Sequence, residues 1–160
     1  MTLLGPGGIG KTRLATEASR KHADTCPHGA WVVRLEEVAD NVRDGAWRAV
    51  GAIFGIREAG GEPISERLIR FLTDRELLIV LDNCEHLIDG CRRVASRILG
   101  ECPEVHMLAT SRTVLAAPGD QAYLVPALAL PTDDQSDLEG FEATALFMDR
   151  ARSHNPRFTP

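Results

Sequence analysis

The sequence contains no apolar run long enough to cross a membrane, and no signal-peptide pattern opens it. Basic residues are in the minority, because 18 Lys and Arg residues face 23 Asp and Glu residues and the formal net charge is −5. Surfaces that bind nucleic acid are ordinarily rich in Lys and Arg. We therefore expect a cytoplasmic protein segment that makes no membrane contact and no direct contact with nucleic acid.

Metal-binding and catalytic patterns built on cysteine or histidine are also missing. Cys26, Cys84, Cys91 and Cys102 form no C-x-x-C pair, and Cys84 and His86 lack the second ligand pair that a zinc site needs. The five histidines are dispersed, with no Ser/His/Asp or Cys/His arrangement. We expect buried or partly exposed thiols in a reducing compartment.

The composition is that of a soluble globular domain, with 44% hydrophobic and 26% charged residues over 160 positions. A chain of this length forms one domain and buries about 70% of its unfolded surface. The spacing of apolar residues predicts alternating strands and helices. Strand patterns cover residues 1–4, 31–35, 77–81, 105–109 and 122–125, and helical patterns cover 12–23, 41–53, 64–72, 86–99 and 141–152.

The continuous apolar run Leu77–Leu81 is typical of a central parallel strand that is covered on both faces. Asp40 is predicted to cap the second helix, and the acidic stretch at 133–139 is predicted to be a solvated loop. The first and last helices carry apolar residues expected to pack, namely Leu14, Ala15, Ala18, Leu146, Phe147 and Ala151.

Strands that alternate with helices predict an α/β fold built on an open parallel sheet with right-handed crossovers. Ligands of such sheets bind at the carboxyl ends of the strands. Three polar groups directly follow predicted strands, at residues 5–12, at Asp82 and at residues 110–112. We expect them to converge on one edge of the sheet.

Residues 5–12, called the phosphate loop below, match the pattern G-x-x-x-x-G-K-[ST]. Glycines let backbone N–H groups approach phosphate oxygens, Lys11 supplies a charge, and the Thr12 hydroxyl is a ligand for Mg²⁺. A glycine-rich turn with a chance lysine is the alternative, and such a match should arise in roughly half a percent of chains this long. The residues predicted to bind nucleotide are Gly5, Pro6, Gly7, Gly8, Ile9, Gly10, Lys11, Thr12 and Arg13.

Asp82 ends the buried strand, where a carboxylate needs a partner or a function. In a protein with a phosphate loop this is the position of the aspartate that holds Mg²⁺ together with the loop threonine. The alternative is that Asp82 caps the next helix. Glu85 is the nearest carboxylate that could activate a water molecule, and it could equally be an acid in the first turn of that helix.

Arg112 follows the strand predicted at 105–109. At the ligand edge of the sheet it could contact the γ-phosphate and so make the protein sensitive to the bound nucleotide. A solvent-facing arginine is the alternative. The predicted catalytic residues are therefore Lys11, Asp82, Glu85 and Arg112, and the predicted metal ligands are Thr12 and Asp82.

Three segments together resemble the NTPase module of STAND proteins, and more narrowly the NB-ARC-like ATPase domains of bacterial LuxR-type and SARP-type transcriptional regulators. They are GPGGIGKTRLA at residues 5–15, LIVLDNCEHL at 78–87 and LATSR at 108–112. The segments PGD at 118–120 and ATALF at 143–147 are also similar to that group.

The resemblance implies a five-stranded P-loop NTPase core of the ASCE type, with strand order 5-1-4-3-2, at residues 1–131. It implies ATP or ADP with Mg²⁺ as ligands, Lys11 as the phosphate lysine, and Arg112 as the sensor arginine. We expect residues 132–160 to hold an acidic loop and the start of a helical region, without a winged helix or DNA-binding domain. Partners implied are other domains or subunits of a regulator, with ATP-dependent self-association.

Three functions remain open at this point. The first is a signalling ATPase switch with slow Mg²⁺-dependent hydrolysis. The second is a phosphoryl-transfer enzyme such as a small-molecule kinase, although the sequence offers no clear arginine-rich lid. The third is a degenerate interaction module that binds partners without hydrolysing nucleotide, against which the intact Lys11, Thr12 and Asp82 argue.

Overall fold

The computed structural model describes residues 1–39, 42, 44–58, 60–129, 141–155 and 158. It divides into two compact units, Met1–Val125 and Pro126–Pro160. The predicted cap Asp40 and the predicted acidic loop at 133–139 lie outside the described residues. The predicted domain boundary after residue 131 lies there too and stays a prediction.

The first unit alternates strands with helices, as the apolar spacing predicts. Its strands are β1 (Thr2–Leu4), β2 (Ala30–Arg34), β3 (Leu77–Asp82), β4 (Val105–Ser111) and β5 (Ala122–Leu124). Its helices are α1 (Lys11–Ala23), α2 (Gly45–Ile53), α3 (Ile64–Leu72) and α4 (Ile88–Glu101), with a 3-10 turn at Cys84–His86. Helix α5 (Glu142–His154) belongs to the second unit.

The five described strands form one parallel sheet in the order β2-β3-β4-β1-β5. Counted from the other edge this is 5-1-4-3-2, so the predicted order is confirmed. Leu4 is in register with Ser111, and Leu81 with Ala109. Strands β1, β3 and β4 therefore end at the same edge of the sheet.

Helices cover both faces of the sheet, which gives three layers. Strand β3 is buried along its whole length, and alternate residues of it enter two apolar clusters of the described residues. Leu77, Ile79 and Leu81 pack into the cluster that includes α2, α3 and α4. Leu78 and Val80 pack on the other face with Ala15 of α1 and Leu3, Cys26 and Val125. Burial on two faces explains why β3 lacks the alternation of a half-exposed strand.

Three helix predictions need correction. Helix α1 turns Lys11, Ala15 and Ser19 inward, whereas Leu14 is 41% exposed and Ala18 is also exposed. These buried residues recur every fourth position from Lys11, so the side of α1 that carries the loop lysine is the side that is turned inward. The helix predicted from residue 41 with Asp40 as its cap begins instead at Gly45, with Asp44 at its N-cap. The helix predicted from His86 begins at Ile88, after the 3-10 turn.

Strand β4 and helix α5 also differ from expectation. Strand β4 continues two residues past the predicted end, to Ser111. No described residue of α5 is buried, and Phe147 is 62% exposed with its ring 6.0 Å from that of Phe158. Apolar spacing marks the face a helix can bury, and it does not supply the partner. None of the helices in the described part of the chain is both long and apolar enough to cross a membrane.

Candidate functional site

The phosphate loop connects β1 to α1 at the carboxyl edge of the sheet. Gly10 stands at the N-cap of α1 with φ 99°, a left-handed conformation that favours glycine. A Cβ at Gly8 or Gly10 would meet no atom within 4 Å, so this side of the loop is open. Among the described residues, none accepts a hydrogen bond from the N–H of Gly8 or Gly10. The loop therefore presents backbone donors to open space beside a helix N-terminus, the arrangement that binds phosphate.

Lys11 is folded back over the same loop. Its Nζ donates to the carbonyl oxygen of Gly5 at 2.8 Å and to that of Pro6 at 3.0 Å, and the residue is only 9% exposed. An ammonium group has three donors, so one remains for an anion. The lysine charge is thus held at the loop with a donor to spare.

The Asp82 carboxylate receives hydroxyl groups from two other segments. Thr12 Oγ1 donates to Asp82 Oδ1 at 2.8 Å, and Thr110 Oγ1 donates to the same oxygen at 2.6 Å. Helix α4 begins at Ile88 with Leu87 at its N-cap, so Asp82 does not cap it. Among the described residues no hydrogen bond is made to Oδ2, which stays available to a metal ion or its water.

Glu85 and Arg112 form an ion pair at this edge. Arg112 Nε lies 3.1 Å from Glu85 Oε1, and the exposed fractions of the two side chains are 64% and 22%. A Cβ at Gly7 would lie 3.3 Å from Arg112 Nη2, so the guanidinium group lies against the phosphate loop where Gly7 has no side chain. Arg112 is therefore paired with Glu85 while it remains largely exposed to solvent, and Glu85 lies in the 3-10 turn that precedes α4.

The donors present fit Mg²⁺ and a nucleotide. Carboxylate and hydroxyl oxygens are hard ligands, and Mg²⁺ usually takes one or two carboxylates and completes its shell with water and phosphate oxygens. The described residues contain no group of three or more His, Cys, Asp or Glu side chains that could form an all-protein cage. The Thr12 and Asp82 oxygens are consistent with a site that shares the ion with bound phosphates.

Two predicted binding residues have different surroundings. Ile9 is partly buried against the apolar cluster under α1, and its Cγ2 lies 3.0 Å from where a Cβ of Gly5 would stand. Arg13 is exposed on the first turn of α1. Ile9 therefore shapes the loop by packing, and Arg13 is a charge near it.

Thr110 is the site residue that sequence reasoning left without a role. It is 1% exposed and joins β4 to Asp82 of the neighbouring strand β3. A polar residue at the end of a central strand, beside another strand that ends in a carboxylate, is the sequence signal that could have identified it.

The thiol nearest the site is not a nucleophile. All four cysteines are free and buried. A hydrogen bond with Cys91, followed by burial, raises the pKa of Cys84 far above its ordinary value, so this thiol stays protonated at neutral pH.

Known proteins give two kinds of similarity. The chain is 38% identical over 161 aligned positions to "Putative HTH-type transcriptional regulator Rv0890c" of Mycobacterium tuberculosis. This alignment covers 99% of the chain and 17% of that protein. It is 34% identical over 152 positions to "Uncharacterized protein Rv0894" of the same species, and this alignment covers 95% of this chain and 36% of that protein. The chain thus spans about a sixth of the first relative and a third of the second. No protein-family model matches it.

Solved structures share the fold at low sequence identity. A STAND protein with a tetratricopeptide repeat sensor from Pyrococcus horikoshii superposes with a TM-score of 0.50 and 14% identity, covering 99% of this chain and 23% of that one. A chain in the structure of Drosophila ORC bound to AT-rich DNA and Cdc6 superposes with a TM-score of 0.52 and 17% identity. This superposition covers 99% of the present chain and 57% of that one. With the strand order, these similarities confirm the predicted P-loop NTPase fold.

Proposed function

We propose that the chain is the nucleotide-binding module of a larger transcriptional regulator and acts as an ATP/ADP switch. The observation that supports this most is the 2.8 Å hydrogen bond between Thr12 and Asp82, which joins the phosphate loop to the end of β3. In P-loop proteins the loop hydroxyl and a strand-end aspartate together hold Mg²⁺ against the phosphates. The open backbone donors and the spare donor of Lys11 stand beside that pair.

The roles follow from the positions of the groups. The N–H groups of the phosphate loop and the N-terminus of α1 would bind phosphate oxygens, and Lys11 would contact the outer phosphates. Thr12 and Asp82 would hold Mg²⁺, which when bound neutralises phosphate charge. The phosphate loop as a whole would position the triphosphate, with Ile9 fixing the loop and Arg13 near its end.

Arg112 would distinguish ATP from ADP. Its guanidinium group lies against Gly7 and pairs with Glu85, so a γ-phosphate would compete with Glu85 for it. Release of Glu85 from this pair would leave a carboxylate close to the site to orient a water molecule. Slow Mg²⁺-dependent hydrolysis of the bound ATP completes this proposal.

The narrower class that we propose is the NB-ARC-like ATPase domain of LuxR-type or SARP-type regulators. The 38% identical relative, which is named as an HTH-type transcriptional regulator, and the STAND neighbour support it. In this proposal residues 1–131 form the ATPase core and 132–160 begin a following helical region. Other domains of the regulator would provide DNA binding, ATP would promote self-association, and the protein would act in the cytoplasm.

A small-molecule kinase is the second candidate, because the same phosphate loop serves phosphoryl transfer. Such an enzyme needs an acceptor pocket over the γ-phosphate. ADP formation that begins only when an acceptor metabolite is added, with the γ-phosphoryl group recovered on the acceptor and not as free phosphate, would favour it over the switch.

Calorimetric titration with ATP, ADP and GTP, each with and without Mg²⁺, tests the proposed function. We expect saturable binding of ATP and ADP that is tighter with Mg²⁺, and weaker binding of GTP. Absence of binding by all three nucleotides in a folded sample would instead favour the degenerate interaction module.

A further inference from the structure

Thr110 links the Asp82 carboxylate to the backbone of Asn83. Thr110 Oγ1 lies 2.6 Å from Asp82 Oδ1 and 2.9 Å from the backbone nitrogen of Asn83. The backbone N–H can only donate, so the Thr110 oxygen accepts from it, and its single proton goes to the carboxylate. The direction of both hydrogen bonds is thereby fixed, and linked hydrogen bonds of this kind strengthen one another.

Asn83 in turn holds Glu85. Its backbone is left-handed, with φ 66° and ψ 54°, a conformation that asparagine tolerates better than most residues. With its amide nitrogen directed at Glu85, the side chain donates to Oε1 at 3.0 Å and to Oε2 at 3.2 Å. The opposite orientation would set the amide oxygen against two carboxylate oxygens, so hydrogen bonding decides the orientation.

Arg112 contacts the same carboxylate. Arg112 Nε lies 3.1 Å from Glu85 Oε1, and the guanidinium group continues to the phosphate loop at Gly7. A continuous series of contacts therefore runs from Asp82 through Thr110, Asn83 and Glu85 to Arg112. It joins the side chain proposed to hold the metal to the side chain proposed to sense the γ-phosphate.

We propose that Thr110 and Asn83 are positioning residues that couple the metal site at Asp82 to the Glu85–Arg112 pair, an inference that rests on the proposed function. Asn83 donates hydrogen bonds to both carboxylate oxygens of Glu85 and so weakens the ion pair between Glu85 and Arg112. Thr110 holds the left-handed turn that aims Asn83, and it does so through the hydroxyl that also binds Asp82. A change at the metal site therefore alters how readily Arg112 can leave Glu85 and contact a γ-phosphate.

Two binding ratios separate the two ends of this series. The gain in ATP affinity on adding Mg²⁺ reports on Asp82, and the ratio of the ADP and ATP dissociation constants with Mg²⁺ reports on Arg112. Neither ratio should respond to a loss of stability that leaves the protein folded. Both can be measured by calorimetry on the whole chain with ATP, ADP and MgCl₂.

Thr110→Val removes the hydroxyl with little change of shape, and Thr110→Ser keeps it. We expect Thr110→Val to lower the Mg²⁺ gain about tenfold and the preference for ATP at least threefold, because two neighbouring groups lose their partner. Thr110→Ser should stay within twofold of wild type in both ratios. Thr113→Val, an exposed threonine in the following loop, is the matched control and should change neither.

Asn83→Gly tests the second link, because glycine keeps the left-handed backbone and removes only the amide. It should lower the preference for ATP at least threefold, since Glu85 then takes Arg112 more fully, and should leave the Mg²⁺ gain within twofold. In the Asn83→Gly background, Thr110→Val should change the Mg²⁺ gain alone. That pattern identifies Asn83 as the connection.

The outcomes distinguish this inference from the proposed function. If wild type binds neither nucleotide, or binds them with no preference for ATP, the proposed function fails and the coupling fails with it. If wild type shows both ratios but Thr110→Val leaves the preference for ATP unchanged, the coupling alone is wrong. The coupling is wrong as well if Thr110→Val lowers that preference equally with and without the Asn83 amide.

Discussion

Thr12 Oγ1 and Asp82 Oδ1 lie 2.8 Å apart, although 70 positions separate the two residues in the chain. Thr12 follows β1 and Asp82 ends β3, and β4 lies between those strands in the sheet. The hydrogen bond therefore crosses over the end of β4, where Thr110 reaches the same carboxylate oxygen. Helix α1 and strands β3 and β4 are thereby joined at one oxygen atom, which places the proposed Mg²⁺ ligands Thr12 and Asp82 together.

Asp82→Ala should remove the Mg²⁺-dependent part of nucleotide binding. We expect the gain in ATP affinity on adding Mg²⁺ to fall at least tenfold, while metal-free affinity changes by less than threefold, because the phosphate loop keeps its own donors. Calorimetry with and without Mg²⁺ measures both. An equal loss in both conditions would show that Asp82 serves only to hold the loop.

Arg112→Ala should reduce the preference for ATP over ADP by about tenfold, which corresponds to one charge-assisted contact of about 1.4 kcal/mol with the γ-phosphate. The measurement is the ratio of the two dissociation constants with Mg²⁺ present. Arg20→Ala, which removes an exposed arginine paired with Glu17, is the control and should leave the ratio unchanged. A normal ratio in Arg112→Ala would exclude γ-phosphate sensing by this residue.

Leu68→Ala should destabilise the protein by about 2–5 kcal/mol, because Leu68 is fully buried between the helices and the sheet and truncation leaves a cavity. Leu124→Ala removes the same atoms from a side chain that is 71% exposed and should change stability by less than about 0.5 kcal/mol. Denaturant unfolding measures both. Similar losses in the two variants would contradict the assigned core.

Stability should fall as the pH rises above about 9, the ordinary pKa of a thiol. The pKa of Cys84 is raised in the folded protein by its hydrogen bond with Cys91 and by burial. In alkali the unfolded chain therefore loses a proton that the folded chain keeps, which favours unfolding. Denaturant unfolding at pH 8 and pH 10 should show a smaller decline in Cys84→Ala than in wild type. Equal declines would mean that Cys84 does not contribute.

The residues themselves predict those parts of the fold whose signal lies in a short stretch of neighbouring positions. The apolar run Leu77–Leu81 predicts a central strand because burial on two faces leaves no polar position. The strand order came from resemblance to a family rather than from residue spacing, because pairing between distant strands has no local signature. The structure confirms both the strand and the order.

The site shows the same division. The phosphate loop and Asp82 stand out because their residue types are unusual at strand ends, whereas Thr110 is a common residue whose partner lies 28 positions away. On the inward face of α1, apolar spacing predicts Ala15 but not Lys11 or Ser19, because those two residues are polar and carry no hydrophobic signal. Helix periodicity predicts that Phe147 packs against another surface, but it cannot show whether such a surface is present.

The most direct test of the central claim compares the two lysines of α1. Lys11 is buried over the phosphate loop, whereas Lys21 is exposed ten residues further along the same helix, so replacing either with alanine removes one positive charge from α1. Titration with Mg·ATP should show wild-type affinity in Lys21→Ala and a loss of at least a hundredfold in folded Lys11→Ala. Unchanged affinity in Lys11→Ala would contradict nucleotide binding at this loop.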